Sequence, residues 1–172
     1  MLRESAPRNY ATIRDTVRLV APFFDDFVLE PTPLNKERIK LEWKSRYSDE
    51  VMSANQLSDG TLRFISLVTL FKQPQLPDVI CIDEPELGLH PLAVHTLVDL
   101  AYETSSQTQI ILATQSVPLV DAVRPSDILT VEQIRGATGI QRLDETQLHD
   151  WLIEYRLSDL WERNIIGGRP QP

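Results

Sequence analysis

Two short, wholly apolar runs, Val79-Ile80-Cys81-Ile82 and Ile110-Ile111-Leu112-Ala113, constrain this chain more than any other feature. An uninterrupted apolar run of this length predicts a central strand of a parallel sheet, covered on both faces. Between the two runs, residues 91–102 place Ala93, Val94, Leu97, Val98 and Ala101 at helical spacing. Strand, helix and strand in that order need a crossover connection, so the strands are expected to run parallel. The predicted class is α/β, with parallel core strands flanked by helices.

The pattern upstream is different. Residues 9–21 carry Ile13, Val17, Val20 and Ala21 at helical spacing until Pro22 closes the pattern. Residues 27–30 read as a short strand, followed by the turn-rich Pro31-Thr32-Pro33-Leu34-Asn35. Over residues 36–46, Ile39, Leu41 and Trp43 alternate with Lys36, Arg38, Lys40, Glu42, Lys44 and Arg46. That period of two predicts one half-buried strand with an apolar face and a mostly basic face. Residues 51–53 are expected to return antiparallel to it. Ser58 is placed to cap a helix over residues 61–71, which Gln73-Pro74-Gln75-Leu76-Pro77 ends. The tail predicts a hairpin over 128–133 and 140–143 around Gly136 and Gly139, then helices over 146–155 and 157–164. One domain is expected over 1–172. Its parts are a helix with a small antiparallel β region (1–55), an α/β core (56–123), and a C-terminal hairpin with helices (124–172).

Composition narrows the classes of function. No apolar run approaches the ~20 residues of a membrane-spanning helix, and Met1-Leu2-Arg3-Glu4-Ser5 has no apolar stretch behind its charges. No membrane partner and no secretory signal are therefore expected. The single cysteine, Cys81, cannot form an internal disulfide, which fits a reducing compartment, the cytoplasm by default. A net charge of −8 repels phosphate backbones, so binding of DNA would rest on the local basic face between Lys36 and Arg46. The ordinary reading of that face is a solvated sheet surface. His90 and His95 are five residues apart, off the i,i+4 spacing of a helical ligand pair, so no histidine metal site is expected.

Three segments carry chemistry. The first apolar run delivers two carboxylates, Asp83 and Glu84, at the carboxyl end of a strand, the edge at which open α/β sheets bind ligands. Asp83 suits a hard cation such as Mg2+, and Glu84, aimed differently, can polarise an attacking water. Leu57-Ser58-Asp59-Gly60-Thr61 opens a helix with a hydroxyl and free amides, a combination that suits a phosphate and equally describes an ordinary N-cap. Thr114-Gln115-Ser116 ends the second apolar run with polar side chains. Gly60 precedes Asp83 by 23 residues and Asp83 precedes Gln115 by 32, room for one helix and one strand each time.

In order and spacing these segments resemble the C-terminal half of an ATP-binding-cassette ATPase. Leu57-Ser58-Asp59-Gly60 resembles the signature loop, and residues 83–91, Asp83-Glu84-Pro85-Glu86-Leu87-Gly88-Leu89-His90-Pro91, resemble Walker B running into the D-loop. Gln115 falls where relatives carry a switch histidine. The long form of the acidic motif is similar to that of the RecF/SMC-like and OLD-like AAA ATPases grouped as AAA_21. This resemblance implies part of a P-loop NTPase sheet, with ATP and Mg2+ as cofactors. It implies that Asp83 handles the metal, Glu84 is the catalytic base and Gln115 senses the γ-phosphate. Ser58, Asp59, Gly60 and His90 would lie on the nucleotide. Two departures stand out: Asp59 replaces a glycine of the usual loop, and Gln115 can donate a hydrogen bond but cannot carry a proton charge.

The phosphate-cradling motif G-x-x-x-x-G-K-[ST] is absent: none of the six glycines is followed by Lys and Ser or Thr. The resemblance therefore implies a partner, either a Walker A-containing half or a second protomer, with homodimers found among full-length relatives. Truncation or splitting is the favoured explanation, ahead of a chain that acts alone with nucleotide binding lost. The leading expectation is an ATP-hydrolysing half-domain, inactive alone, serving DNA maintenance or defence. The alternatives are a non-catalytic interaction module that keeps the fold, and a DNA-binding protein acting through the basic face.

Overall fold

A computed structural model describes residues 2–168. The chain divides into two compact units, Met1–Ala113 and Thr114–Pro172, the second beginning directly after the second apolar strand.

The first unit opens with α1 (Leu2–Ser5) and α2 (Pro7–Val20). Strands β1 (Phe24–Val28), β2 (Pro31–Thr32), β3 (Asn35–Ile39), β4 (Glu42–Ser45) and β5 (Ser48–Ser53) follow. Then come α3 (Asp59–Lys72), β6 (Val79–Asp83), α4 (Pro91–Thr104) and β7 (Gln109–Ala113). Helix α3 packs between α2 and α4 and supplies Phe64, Ile65, Leu67, Val68 and Phe71 to the core. Val17, Phe24 and Leu97 complete its fully buried centre, with Trp43 stacked on Phe24 at 6.0 Å between ring centroids.

One long alternating strand over residues 36–46 does not form. The segment breaks at residues 40–41, because its halves pair with different neighbours: β3 with β2, and β4 between β1 and β5. Only Trp43 of the expected apolar face is buried; Ile39 and Leu41 are 43% and 38% exposed. All five residues of β3 are exposed, Lys36 and Arg38 among them. The return strand is as expected, with β5 antiparallel to β4.

Strands β6 and β7 run parallel in the register Val79↔Gln109 through Asp83↔Ala113, with α4 as the crossover. Their expected burial on both faces is not found. Ile80 is buried and Ile82 and Ile110 pack on the core, but Val79 and Ile111 are 45% and 49% exposed and Cys81 is exposed. The core reaches one face only. Among the described residues no further strand joins this pair.

The Tyr10 hydroxyl donates to Asp26 Oδ1 at 2.6 Å. Burial first, and then this bond to a carboxylate, push the phenol up to about 12. A raised pKa in the folded state means the contribution is fully present below the unfolded value near 10 and is lost as pH rises through about 12. Titration of tyrosine absorbance should therefore show one late phenol, absent in Tyr10→Phe, and alkaline unfolding should begin as it ionises.

The second unit contains α5 (Val117–Ala122), β8 (Leu129–Ile134), β9 (Ala137–Arg142), α6 (Glu145–Glu154) and α7 (Leu157–Glu162). The hairpin turns at Arg135 and Gly136, with φ of 51° and 82°, the left-handed pair that a two-residue turn requires. Gly139 is therefore in the ladder opposite Glu132, not in the turn. Leu143, Leu148, Leu157 and Leu160 form the core of this unit. The Asp121 carboxylate accepts from Ser158 N and Oγ at 2.9 and 2.8 Å, fastening α5 to the first turn of α7.

Candidate functional site

The site in the first unit is built from the start of α3 and the turn that leaves β6. Ser58 is the N-cap of α3: its Oγ accepts from Thr61 N at 3.1 Å and shares a hydrogen bond with Thr61 Oγ1 at 2.8 Å. Asp59, exposed, occupies the first helical position, where a carboxylate is favoured by the positive end of the helix dipole. That gives a local reason for the aspartate in place of glycine. Gly60 has a reason of its own. A Cβ added there would overlap the carbonyl oxygen of Gly88, so the helix start is seated directly on the turn after β6.

Asp83 is the exposed last residue of β6. Glu84 follows in the left-handed region, with φ 45°, an unusual setting for a side chain larger than glycine. Three bonds hold it there. Its N–H donates to Ala113 O at 2.8 Å, and its carbonyl accepts from Arg63 Nη2 at 2.6 Å and Leu87 N at 3.2 Å. The same guanidinium nitrogen donates to Asp83 O at 3.4 Å. The left-handed conformation takes Glu84 out of the regular alternation of the strand that ends at Asp83.

The Glu84 carboxyl is raised above its ordinary 4.5, first by a hydrogen bond with the Glu86 carboxyl, then by burial and by the charges of Glu86 and Asp83, with Arg63 opposing. A raised carboxyl is a stronger base near neutrality. The raised pKa also means that the stability this group adds is present below 4.5 and is lost as pH climbs through the raised value. Glu86→Gln should lower the Glu84 pKa, which carboxyl carbon-13 titration will read directly.

His90 caps α4, its Nδ1 accepting from Leu92 N at 3.3 Å. Gln115 lies in the second compact unit, exposed, beside Thr114, whose Oγ1 accepts from Ser116 N at 2.9 Å. The first unit thus holds Ser58, Asp59, Gly60, Asp83, Glu84 and His90. Gln115 belongs to the other unit. Two residues that the sequence reading left without a role, Arg63 and Glu86, set the geometry and basicity of Glu84. Glu86 carried a faint signal, as a third acid in Asp83-Glu84-Pro85-Glu86; Arg63 carried none, because a helix arginine ordinarily reads as a solvated charge.

Among the described residues no group of three or more His, Cys, Asp or Glu side chains could hold a metal. An exposed carboxylate at a strand end nevertheless fits Mg2+, which takes one or two protein carboxylates and completes its shell with water and phosphate oxygens. Among the described residues no helix is long and apolar enough to cross a membrane.

Residues 6–122 match the AAA_21 family model, described as "AAA domain, putative AbiEii toxin, Type IV TA system". Two curated proteins are similar in sequence. One is the energy-coupling factor transporter ATP-binding protein EcfA of Methanococcus maripaludis, 27% identical over 132 residues, covering 66% of this chain and 47% of that protein. The other is EcfA2 of Lactobacillus acidophilus, 28% identical over 179 residues, covering 91% of this chain and 61% of that protein. The chain thus spans about half the length of the curated relatives it matches. Among solved structures, one reported as "Structural biochemistry of ATP-driven dimerization and DNA stimulated activation of SMC ATPases" aligns with TM-score 0.62 at 18% identity, covering 89% of this chain and 94% of that one. The Smc head domain of Pyrococcus furiosus, bound to the C-terminal domain of ScpA, aligns with TM-score 0.64 at 18% identity, covering 86% of this chain and 37% of that one. At such identities the shared property is the fold.

Proposed function

The chain belongs to the AAA_21 family of AAA domains, and on that premise we propose that it is the catalytic-carboxylate half of an ATPase that hydrolyses ATP only when a phosphate-binding half is supplied. One observation carries this reading: the start of α3 sits directly on the turn that presents Asp83 and Glu84, so the helix start and the acidic strand edge form one local assembly. Support for a missing half comes from the absence of a G-x-x-x-x-G-K-[ST] motif in the 172 residues, and from the open face of β6 and β7. A solved chain of nearly the same extent is similar in fold.

In this reading Asp83 holds Mg2+, which neutralises phosphate charge when bound. Glu84 accepts the proton of the attacking water, with Glu86 raising its basicity. The amides at Asp59 and Gly60 face the γ-phosphate of a nucleotide held by the partner half or protomer, and Ser58 and His90 flank them. The resemblance assigns Gln115 the sensing of a γ-phosphate, by a hydrogen bond donated from its side-chain amide. The process served is DNA maintenance or defence: the similar SMC structure concerns DNA-stimulated activation and ATP-driven dimerization, and β3 exposes Lys36 and Arg38. The compartment proposed is the cytoplasm.

A second reading, a non-catalytic module, is favoured by the engagement of the Ser58 hydroxyl and His90 Nδ1 in helix caps. Thermal shift and phosphate release with ATP and Mg2+ separate the two. The chain alone should show neither, and the chain mixed with a Walker A half supplied in trans should show both. Absence of both from the mixture leaves the non-catalytic reading, and turnover by the chain alone overturns the division into halves.

A further inference from the structure

Glu84 combines an unfavourable backbone conformation with unusually complete restraint. A glutamate at φ 45° persists only where its surroundings over-determine it. Two of its three backbone bonds come from its own sheet and turn, through Ala113 O and Leu87 N. The third comes from another element. Arg63 stands one turn past Gly60 on α3, and its Nη2 reaches both Glu84 O at 2.6 Å and Asp83 O at 3.4 Å. Helix α3 meets the same turn again at Gly60, against the Gly88 carbonyl. The first turns of α3 therefore grip the segment from Asp83 to Gly88 near both of its ends.

We propose that Arg63 is a positioning residue: its guanidinium, bonded to the Asp83 and Glu84 carbonyls, keeps Glu84 left-handed and makes the direction of the Glu84 carboxylate follow the placement of α3. The planar fork of arginine suits this task, since its donors are fixed in direction while a lysine ammonium is a rotatable point charge. The consequence for turnover rests on the ATPase reading above. Anything that docks at the amides of the α3 N-terminus then acts on the catalytic carboxylate through a chain of contacts only one helical turn long. The bland alternative is that Arg63 merely neutralises an acidic turn, in which case any cation at this position serves.

The test uses the whole chain without nucleotide, so its outcome is independent of whether ATP is hydrolysed. Backbone chemical shifts, the HN–Hα coupling of Glu84 and its amide exchange are compared in wild type, Arg63→Met and Arg63→Lys. Arg63→Met should take Glu84 out of left-handed values and speed its amide exchange by about tenfold or more, a local opening that leaves the core signals of Val17 and Leu97 in place. Arg63→Lys, which keeps the charge, should restore little of either. The proposal is overturned if Glu84 stays left-handed with wild-type exchange in Arg63→Met, or if Arg63→Lys restores both fully. Should Arg63→Met lose its core signals, Arg63→Lys decides alone: wild-type Glu84 values overturn the proposal, and altered values in a folded chain uphold it.

Discussion

Gly60→Ala lowers stability by about 2 kcal/mol, which for a chain of this length lowers the thermal midpoint by roughly 4–8 °C. The sign is not obvious beforehand. Within a helix, alanine is favoured over glycine by about 0.5–1 kcal/mol, so propensity alone predicts a gain. The added methyl, however, meets the backbone of Gly88 at its carbonyl carbon and oxygen, which no rotamer change relieves. Overlap of that kind costs about 1–3 kcal/mol or more, and it wins. Gly88→Ala is the informative comparison. There the nearest atoms are at ordinary contact distance, 3.8 Å, but φ is +77°, so its cost is conformational, about 1–2 kcal/mol. Differential scanning calorimetry of both variants separates the two causes. A Gly60→Ala chain as stable as wild type would show that α3 does not rest on the turn.

On the proposed ATPase reading, Glu84→Gln lowers turnover of the complemented chain by about 10²–10⁴-fold, the usual contribution of a positioned general base. Glutamine keeps the shape and loses the proton-accepting oxygen, so ATP binding should persist and hydrolysis stop. Folding should not suffer. The substitution removes a like charge from beside Asp83 and Glu86, whose repulsion already raises the Glu84 pKa. Phosphate release measured alongside thermal shift distinguishes a trapped complex from a misfolded one. Turnover unchanged from wild type would remove Glu84 from the role of base.

The βαβ crossover was legible because its signals are local: two apolar runs, one helical stripe, and a serine that caps α3. The acidic edge was legible for the same reason. Burial of the strands was misread because run length reports the apolar character of a strand and says nothing of what is present to cover it. Residues 36–46 misled because alternation fixes which way side chains point but not which strand each half pairs with. Arg63 and the Gly60–Gly88 contact lay beyond reach, since both join residues more than twenty apart through backbone atoms that every sequence shares. Helix α5 escaped because six residues beginning Val117-Pro118 are too few to show a period.

The bare pair of strands has a consequence for handling the molecule. Among the described residues β6 and β7 pair with no further strand and expose Val79, Cys81 and Ile111, which makes them a template onto which other chains can add. Newly made or concentrated material is therefore prone to add its own copies along the ribbon, and crowding favours that addition. Yield of dispersed protein should fall as expression level rises.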